Sequence, residues 1–139
     1  MLLMLATSVT GCGQHAALAA RALDVRLRDY AIGTSKHLVR AGAVSLSVTN
    51  YGPETHELVV VQTDLDPTAL PLQPDGLTVD EYSPKLHEIT SLEGIRLGQT
   101  QRRSIELRPG HYVLFCNLEG HYLGLMYVAI DVTSPERLR

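Results

Sequence analysis

The sequence predicts an all-β domain in which two sheets pack as a β-sandwich. Apolar and polar residues alternate at period two in successive segments, six or more such strands can be traced, and Pro- and Gly-containing turns separate them. Leu23, Val25 and Leu27 alternate with Asp24, Arg26 and Arg28, so the first strand starts near Leu23 and buries one face. Val44, Leu46 and Val48 alternate with Ser45, Ser47 and Thr49 in the same way. From His56 to Thr63 the chain holds its most apolar run, Leu58-Val59-Val60-Val61, whose β-branched content predicts a central strand. Pro67, Pro71, Pro74 and Pro84, with Gly76, Gly94 and Gly98, predict a long irregular connection over residues 64–98. It is expected to hold a short strand around Leu77 to Val79 and one helical turn. Ile105 and Leu107 then alternate with Ser104, Glu106 and Arg108, Pro109-Gly110 turns the chain, and Tyr112 to Asn117 forms the next strand. Met126, Val128, Ile130 and Val132 make one face of the last strand before Thr133 to Arg139 becomes polar.

The 139 residues suffice for one domain with its own core. Hydrophobic residues make up 45% and charged residues 19%, a globular balance, and with one Phe and no Trp the interior falls to Leu, Val and Ile. A formal charge of -3 is too small to imply a polyanionic partner, and no Lys/Arg-rich tract or aromatic ladder points to nucleic acid. The apolar opening from Met1 to Cys12 is far shorter than the roughly 17 to 25 residues that span a bilayer. Within it, Val9-Thr10-Gly11-Cys12 resembles the lipobox that ends a bacterial lipoprotein signal peptide. That resemblance implies a signal over residues 1–12 ending at Cys12, the lipidated residue, then a tether over 13–21 and the folded domain over 22–139. The protein is then exported to the periplasm or another extracytoplasmic face and touches the membrane only through its N-terminal lipid. The alternative for the two cysteines is a Cys12–Cys116 disulfide.

Cys116, His121 and Met126 stand at five-residue steps, and His56 opens the central strand. Alternation puts Cys116 on the face of Leu114 and Tyr112, and Met126 on the face of Val128 and Ile130, so both sulfurs point inward. Cys116 ends one strand, Met126 starts its neighbour, and His121 reaches in from the loop between them. A thiolate and two neutral imidazoles with a weak thioether suit both oxidation states of copper. Structural zinc takes four strong ligands, for which a thioether is a poor choice, and a Cys-His nucleophile leaves Met126 unexplained. Glu57 and Glu119 are not placed as hydrolytic bases, so no enzyme activity is expected. His111, after Pro109-Gly110, together with His15, His37 and His87, falls outside the ligand set.

These residues resemble the cupredoxins, the type 1 or blue copper proteins. The likeness runs through Ala41-Gly42-Ala43-Val44, Val48-Thr49-Asn50, His56-Glu57-Leu58, Leu107-Arg108-Pro109-Gly110-His111-Tyr112, and Cys116 to His121 and Met126. The Cys-x4-His-x4-Met spacing looks like that of small soluble electron carriers and of sulfocyanin- or rusticyanin-like proteins. The resemblance implies a Greek-key, cupredoxin-like β-sandwich holding one copper ion on His56, Cys116, His121 and Met126. It also implies outer-sphere electron exchange between Cu(II) and Cu(I) with redox protein partners in the cell envelope. Glu57 stands where the family often has Asn, and Leu125 where Gly often precedes the methionine. Glu57 and Asn117 are the residues expected around the ligands. Leu118, Tyr122, Leu123 and Leu125 are expected to form an apolar docking collar around the solvent edge of His121. A monomer fits a carrier that must dissociate quickly. A periplasmic copper carrier or chaperone, or a metal-free cupredoxin-like interaction domain, are the alternative functions.

Overall fold

The computed structural model describes residues 21–134. The expected signal with Cys12, and the tether up to residue 20, lie outside the described residues. Within them the chain forms strands β1 (Ala22–Arg28), β2 (Ala31–Thr34), β3 (Leu38–Arg40), β4 (Gly42–Asn50), β5 (His56–Gln62), β6 (His87–Ile95), β7 (Thr100–Leu107), β8 (Gly110–Phe115) and β9 (Tyr127–Thr133). One sheet has the order β2-β1-β4-β7 and the other β3-β9-β8-β5-β6. β1 runs parallel to β4 and β3 parallel to β9, while the other neighbours are antiparallel. The chain crosses between the sheets from β2 to β3, β3 to β4, β4 to β5, β6 to β7 and β7 to β8, which is Greek-key wiring.

The alternating residues fill the space between the sheets. Leu23, Val25, Leu27, Val44, Leu46 and Val48 pack in one buried cluster with Leu58, Val60, Tyr112, Leu114, Ile130 and Val132. The apolar run of β5 has a further reason. Leu58 and Val60 face this main core, while Val59 and Val61 join a second buried cluster on the outside of the sheet with Leu70, Val79, Leu86, Val113, Phe115 and Tyr122. The irregular segment between β5 and β6 lies over that outer face. A strand covered on both sides needs apolar residues at consecutive positions instead of alternate ones.

The expected irregular connection over 64–98 contains a nine-residue strand, β6, paired along β5. Its pattern is concealed by register shifts opposite His56/Leu58 and Val60/Val61 and by Gly94 in the left-handed region (φ 64°). Such irregularities break the period of two on which a strand is recognised. β2 and β3, with four and three residues, are too short to carry a pattern. The strand expected around Leu77 is a single bridge between Leu72 and Val79. In place of the helical turn, hydrogen-bonded turns close at Ala69 N to Asp66 O (2.9 Å) and Leu86 N to Ser83 O (3.0 Å).

Tyr112 secures the end of the sandwich away from His56. Its hydroxyl donates to Arg108 O at 2.8 Å and accepts from Arg108 N–H at 3.0 Å, fixing the turn that leads from β7 into β8. This is the device of a tyrosine corner, in which one buried hydroxyl satisfies backbone groups upstream. Tyr112→Phe is expected to destabilise the fold by about 1–3 kcal/mol, measured as a lower midpoint in urea unfolding. An unchanged midpoint would show that the turn holds without it.

Candidate metal centre

Three strand ends converge at one pole. β8 lies between β5 and β9, with Phe115 opposite Val59 on one side and Tyr127 on the other, so Cys116 emerges beside the start of both neighbours. His56 is the first residue of β5, and Met126 immediately precedes β9. Cys116 N–H donates to Met126 O (3.1 Å) and Met126 N–H to His121 O (3.0 Å), closing the loop 116–126 on itself. Inside it, His121 N–H donates to Leu118 O (2.9 Å) and Gly124 N–H to Gly120 O (2.8 Å). Gly120 (φ 77°) and Leu125 (φ 73°) take the left-handed conformation that so tight a path demands. For Leu125 that conformation costs about 1–2 kcal/mol, which glycine would not incur.

The four expected ligand residues are brought together. Cys116 Sγ lies 3.5 Å from His121 Nδ1 and 4.0 Å from His56 Nδ1. The three donor atoms are all within 4.8 Å of one another. Ligands held about 2.0–2.3 Å from a shared ion have separations of this order. Cys116, His56 and Met126 are buried, Cys116 has no disulfide partner among the described residues, and Met126 belongs to the same core cluster as Cys116. His121 is 8% exposed. A thiol, two imidazoles and a thioether in a dry pocket suit a soft, redox-active ion such as copper. The four side chains cluster like a blue copper site. Burial pushes the Cys116 thiol up, while the backbone N–H groups of Glu57 and Leu118, directed at the sulfur, pull the other way.

Carboxylates occupy the far side of both imidazoles. His56 Nε2–H donates to Asp29 Oδ1 at 3.0 Å, leaving the Nδ1 lone pair facing Cys116. His121 Nε2 stands 3.4 Å from Glu54 Oε2. The Tyr30 ring lies against His121, with centroids 5.2 Å apart. Sequence reasoning missed Asp29, Tyr30 and Glu54. The signal for Glu54 was Asn50, whose buried amide donates to Glu54 O (2.6 Å) and Ile95 O (2.8 Å) and accepts Gly52 N–H (2.8 Å), shaping the loop into His56.

The residues expected around the ligands take definite places. Asn117 ties the irregular segment to the site: its amide donates to Val79 O (3.0 Å) and Glu81 Oε1 (2.6 Å), and its oxygen accepts Val79 N–H (2.6 Å). The Glu57 carboxylate accepts Asn117 N–H, so it steadies the cysteine loop despite standing where Asn was expected. Of the expected collar, Leu123 (48%) and Leu125 (67%) are exposed, and Leu118 is partly buried against the main core. Tyr122 is a correction. It is 4% exposed, and its hydroxyl donates to Pro67 O (2.7 Å) and accepts Leu70 N–H (3.0 Å), so it supports the irregular segment from beneath and presents nothing to a partner. The imidazole edge of His121 is likewise covered by Tyr30 and Glu54 and not open. His37 and His87 lie on the surface, and His111 pairs with Asp131 there; all three are outside the cluster.

Glu57 has its carboxyl pushed up from 4.5, first by burial, then by repulsion from Glu81 and Glu93, against the lowering by Asn117 N–H. A raised folded-state value means that its contribution to stability is full below about pH 4.5 and is lost as pH rises through the folded value. Glu57→Gln keeps the acceptor and removes the charge. It is expected to raise the unfolding midpoint at pH 7 and to lose that advantage at pH 4; an equal effect at both pH values would overturn this account.

No family model and no curated protein matches the sequence. Solved structures do. Dithionite-reduced auracyanin from the photosynthetic bacterium Roseiflexus castenholzii is similar with a TM-score of 0.59 at 17% identity, over 81% of this chain and 97% of that one. Auracyanin B follows with 0.56 at 23% identity, over 81% and 88%. An azurin from the obligate methylotroph Methylomonas sp. strain J gives 0.53 at 15% identity, over 81% and 97%. With its strand order and the placement of its buried residues, the chain therefore has the Greek-key β-sandwich fold of these cupredoxins.

Proposed function

We propose that this chain is a mononuclear copper electron carrier that exchanges single electrons with redox protein partners. The observation that carries the reading is Cys116 Sγ held between the Nδ1 atoms of His121 and His56, at 3.5 and 4.0 Å, with Met126 buried beside it. Copper supplies reversible one-electron exchange between Cu(II) and Cu(I). When copper is bound, Cys116 would offer the thiolate, His56 and His121 the two imidazole nitrogens, and Met126 the thioether. The core cluster excludes water, and the loop hydrogen bonds keep the donors in place, so that little has to rearrange when charge changes. A rigid site of this kind favours electron exchange over the ligand movement that a copper carrier or chaperone needs. The similarity to an auracyanin described in a dithionite-reduced form is in keeping with a redox role.

The finer points of the reading follow from the sequence. The lipobox-like Val9 to Cys12 favours export and a lipid anchor at Cys12, which puts the domain on an extracytoplasmic face. Leu123 and Leu125, exposed next to His121, supply the apolar surface for brief contact between a monomer and its partner. The protein is a carrier on this reading and not an enzyme.

Addition of one equivalent of Cu(II) to the purified protein is expected to give an intense visible band from thiolate-to-copper charge transfer. The band should vanish on reduction, return on oxidation and be absent in Cys116→Ala. A protein that stays colourless and binds no stoichiometric copper would end the electron-carrier reading. Copper that is taken up but passes rapidly to an apo-acceptor would favour the chaperone.

A further inference from the structure

The turn between β1 and β2 belongs to the sheet that holds none of the four ligand residues, yet its two residues reach both imidazoles. Asp29 Oδ1 accepts His56 Nε2–H at 3.0 Å, and Tyr30, at φ 57°, lays its ring 5.2 Å from that of His121. Each is seated on a glycine. A Cβ on Gly52 would lie 2.5 Å from Asp29 Oδ1 and 2.9 Å from Asp29 N, and a Cβ on Gly124 would lie 2.4 Å from Tyr30 Cδ1. Gly52 is held in turn by Asn50, which accepts its N–H at 2.8 Å. The approach of the carboxylate is thus a built contact: side chains are omitted on the two loops that flank the site, where the turn must come close.

We propose that Asp29 is a positioning residue for the metal centre, holding His56 with Nε2–H outward and Nδ1 toward Cys116, and favouring the more positive oxidation state of the bound ion. The inference rests on the copper-carrier reading for its second half and on this chain alone for its first. A carboxylate on the far nitrogen fixes the tautomer and raises the basicity of the near one. Its charge opposes the net gain of an electron at the centre, so it lowers the reduction potential. The neutral amide of Asn at position 29 retains a hydrogen-bond acceptor of nearly the same shape and removes the charge.

The test has two parts. In the metal-free full-length protein, nitrogen chemical shifts of the His56 ring are expected to report the Nε2–H tautomer, and Asp29→Ala is expected to give a mixture of tautomers. A different tautomer in the wild type, or no change in the variant, overturns the positioning role. In the copper-loaded protein, Asp29→Asn is expected to keep the charge-transfer band while shifting the preference toward Cu(I) by about tenfold, equivalent to about 59 mV for one electron. Gly52→Ala, whose Cβ meets both the carboxylate and Asp29 N and so displaces the turn with its carboxylate retained, is expected to shift the potential in the same direction by less. An unchanged potential in Asp29→Asn with the band intact overturns the charge effect. Failure of the wild type to bind copper ends both the carrier reading and the charge effect, while the tautomer result still decides the positioning role.

Discussion

The pole that carries the candidate metal centre depends on a short piece of backbone hydrogen bonding. Cys116 N–H to Met126 O and Met126 N–H to His121 O make the loop 116–126 a closed ring, so three candidate ligands from one stretch of chain arrive together. Without that closure, a segment carrying Gly120 and Gly124 would have too much freedom to hold donor atoms a few ångströms apart. The closure uses residues at the ends of two paired strands, so the register of β8 against β9 is transmitted directly to the site. β5, paired on the other side of β8, adds His56 in the same way. Strained backbone at Leu125 is retained because the surrounding ladder leaves the chain no other path.

The two cores have separate duties. The cluster between the sheets surrounds the sulfurs of Cys116 and Met126 and keeps them dry. The outer cluster fastens the irregular segment 63–86 to the sheet through Leu70, Val79 and Leu86, with Tyr122 as a polar pin to Pro67 and Leu70. Asn117, next to Cys116, grips Val79 and Glu81 of the same segment. The long connection is therefore part of the wall of the site, since the residue that follows the cysteine is committed to holding it.

Much of this was legible in the sequence, and the remainder was not for physical reasons. The alternation at Leu23–Leu27 and Val44–Val48 and the continuous run Leu58–Val61 record burial on one face or on two, which composition shows directly. The candidate ligand cluster could be read because its chemistry is narrow and three of its members are neighbours in the chain. β6 was hidden because a bulge erases the period that identifies a strand. Tyr122 was misjudged because an amphipathic ring beside exposed leucines looks the same in sequence whether it faces solvent or lies under a loop. Asp29 and Tyr30 were invisible for another reason: they meet the imidazoles only after two sheets have packed together, and nothing in the local sequence of a turn encodes what the opposite sheet will bring, while Glu54, in the loop between β4 and β5, left only the indirect signal of Asn50.

The parallel pairing of β1 with β4 has a consequence for how the domain is oriented. β1 starts at Ala22 and runs its seven residues toward the metal pole, while β9 runs away from it to Thr133. Both ends of the described chain are thus at the pole opposite the candidate ligands, about 20 Å from it at some 3.3 Å per strand residue. Whatever precedes Ala22 joins the domain there. If that segment fastens the protein to a surface, the exposed Leu123 and Leu125 face away from it. Attachment at that end leaves the candidate metal centre at the free pole.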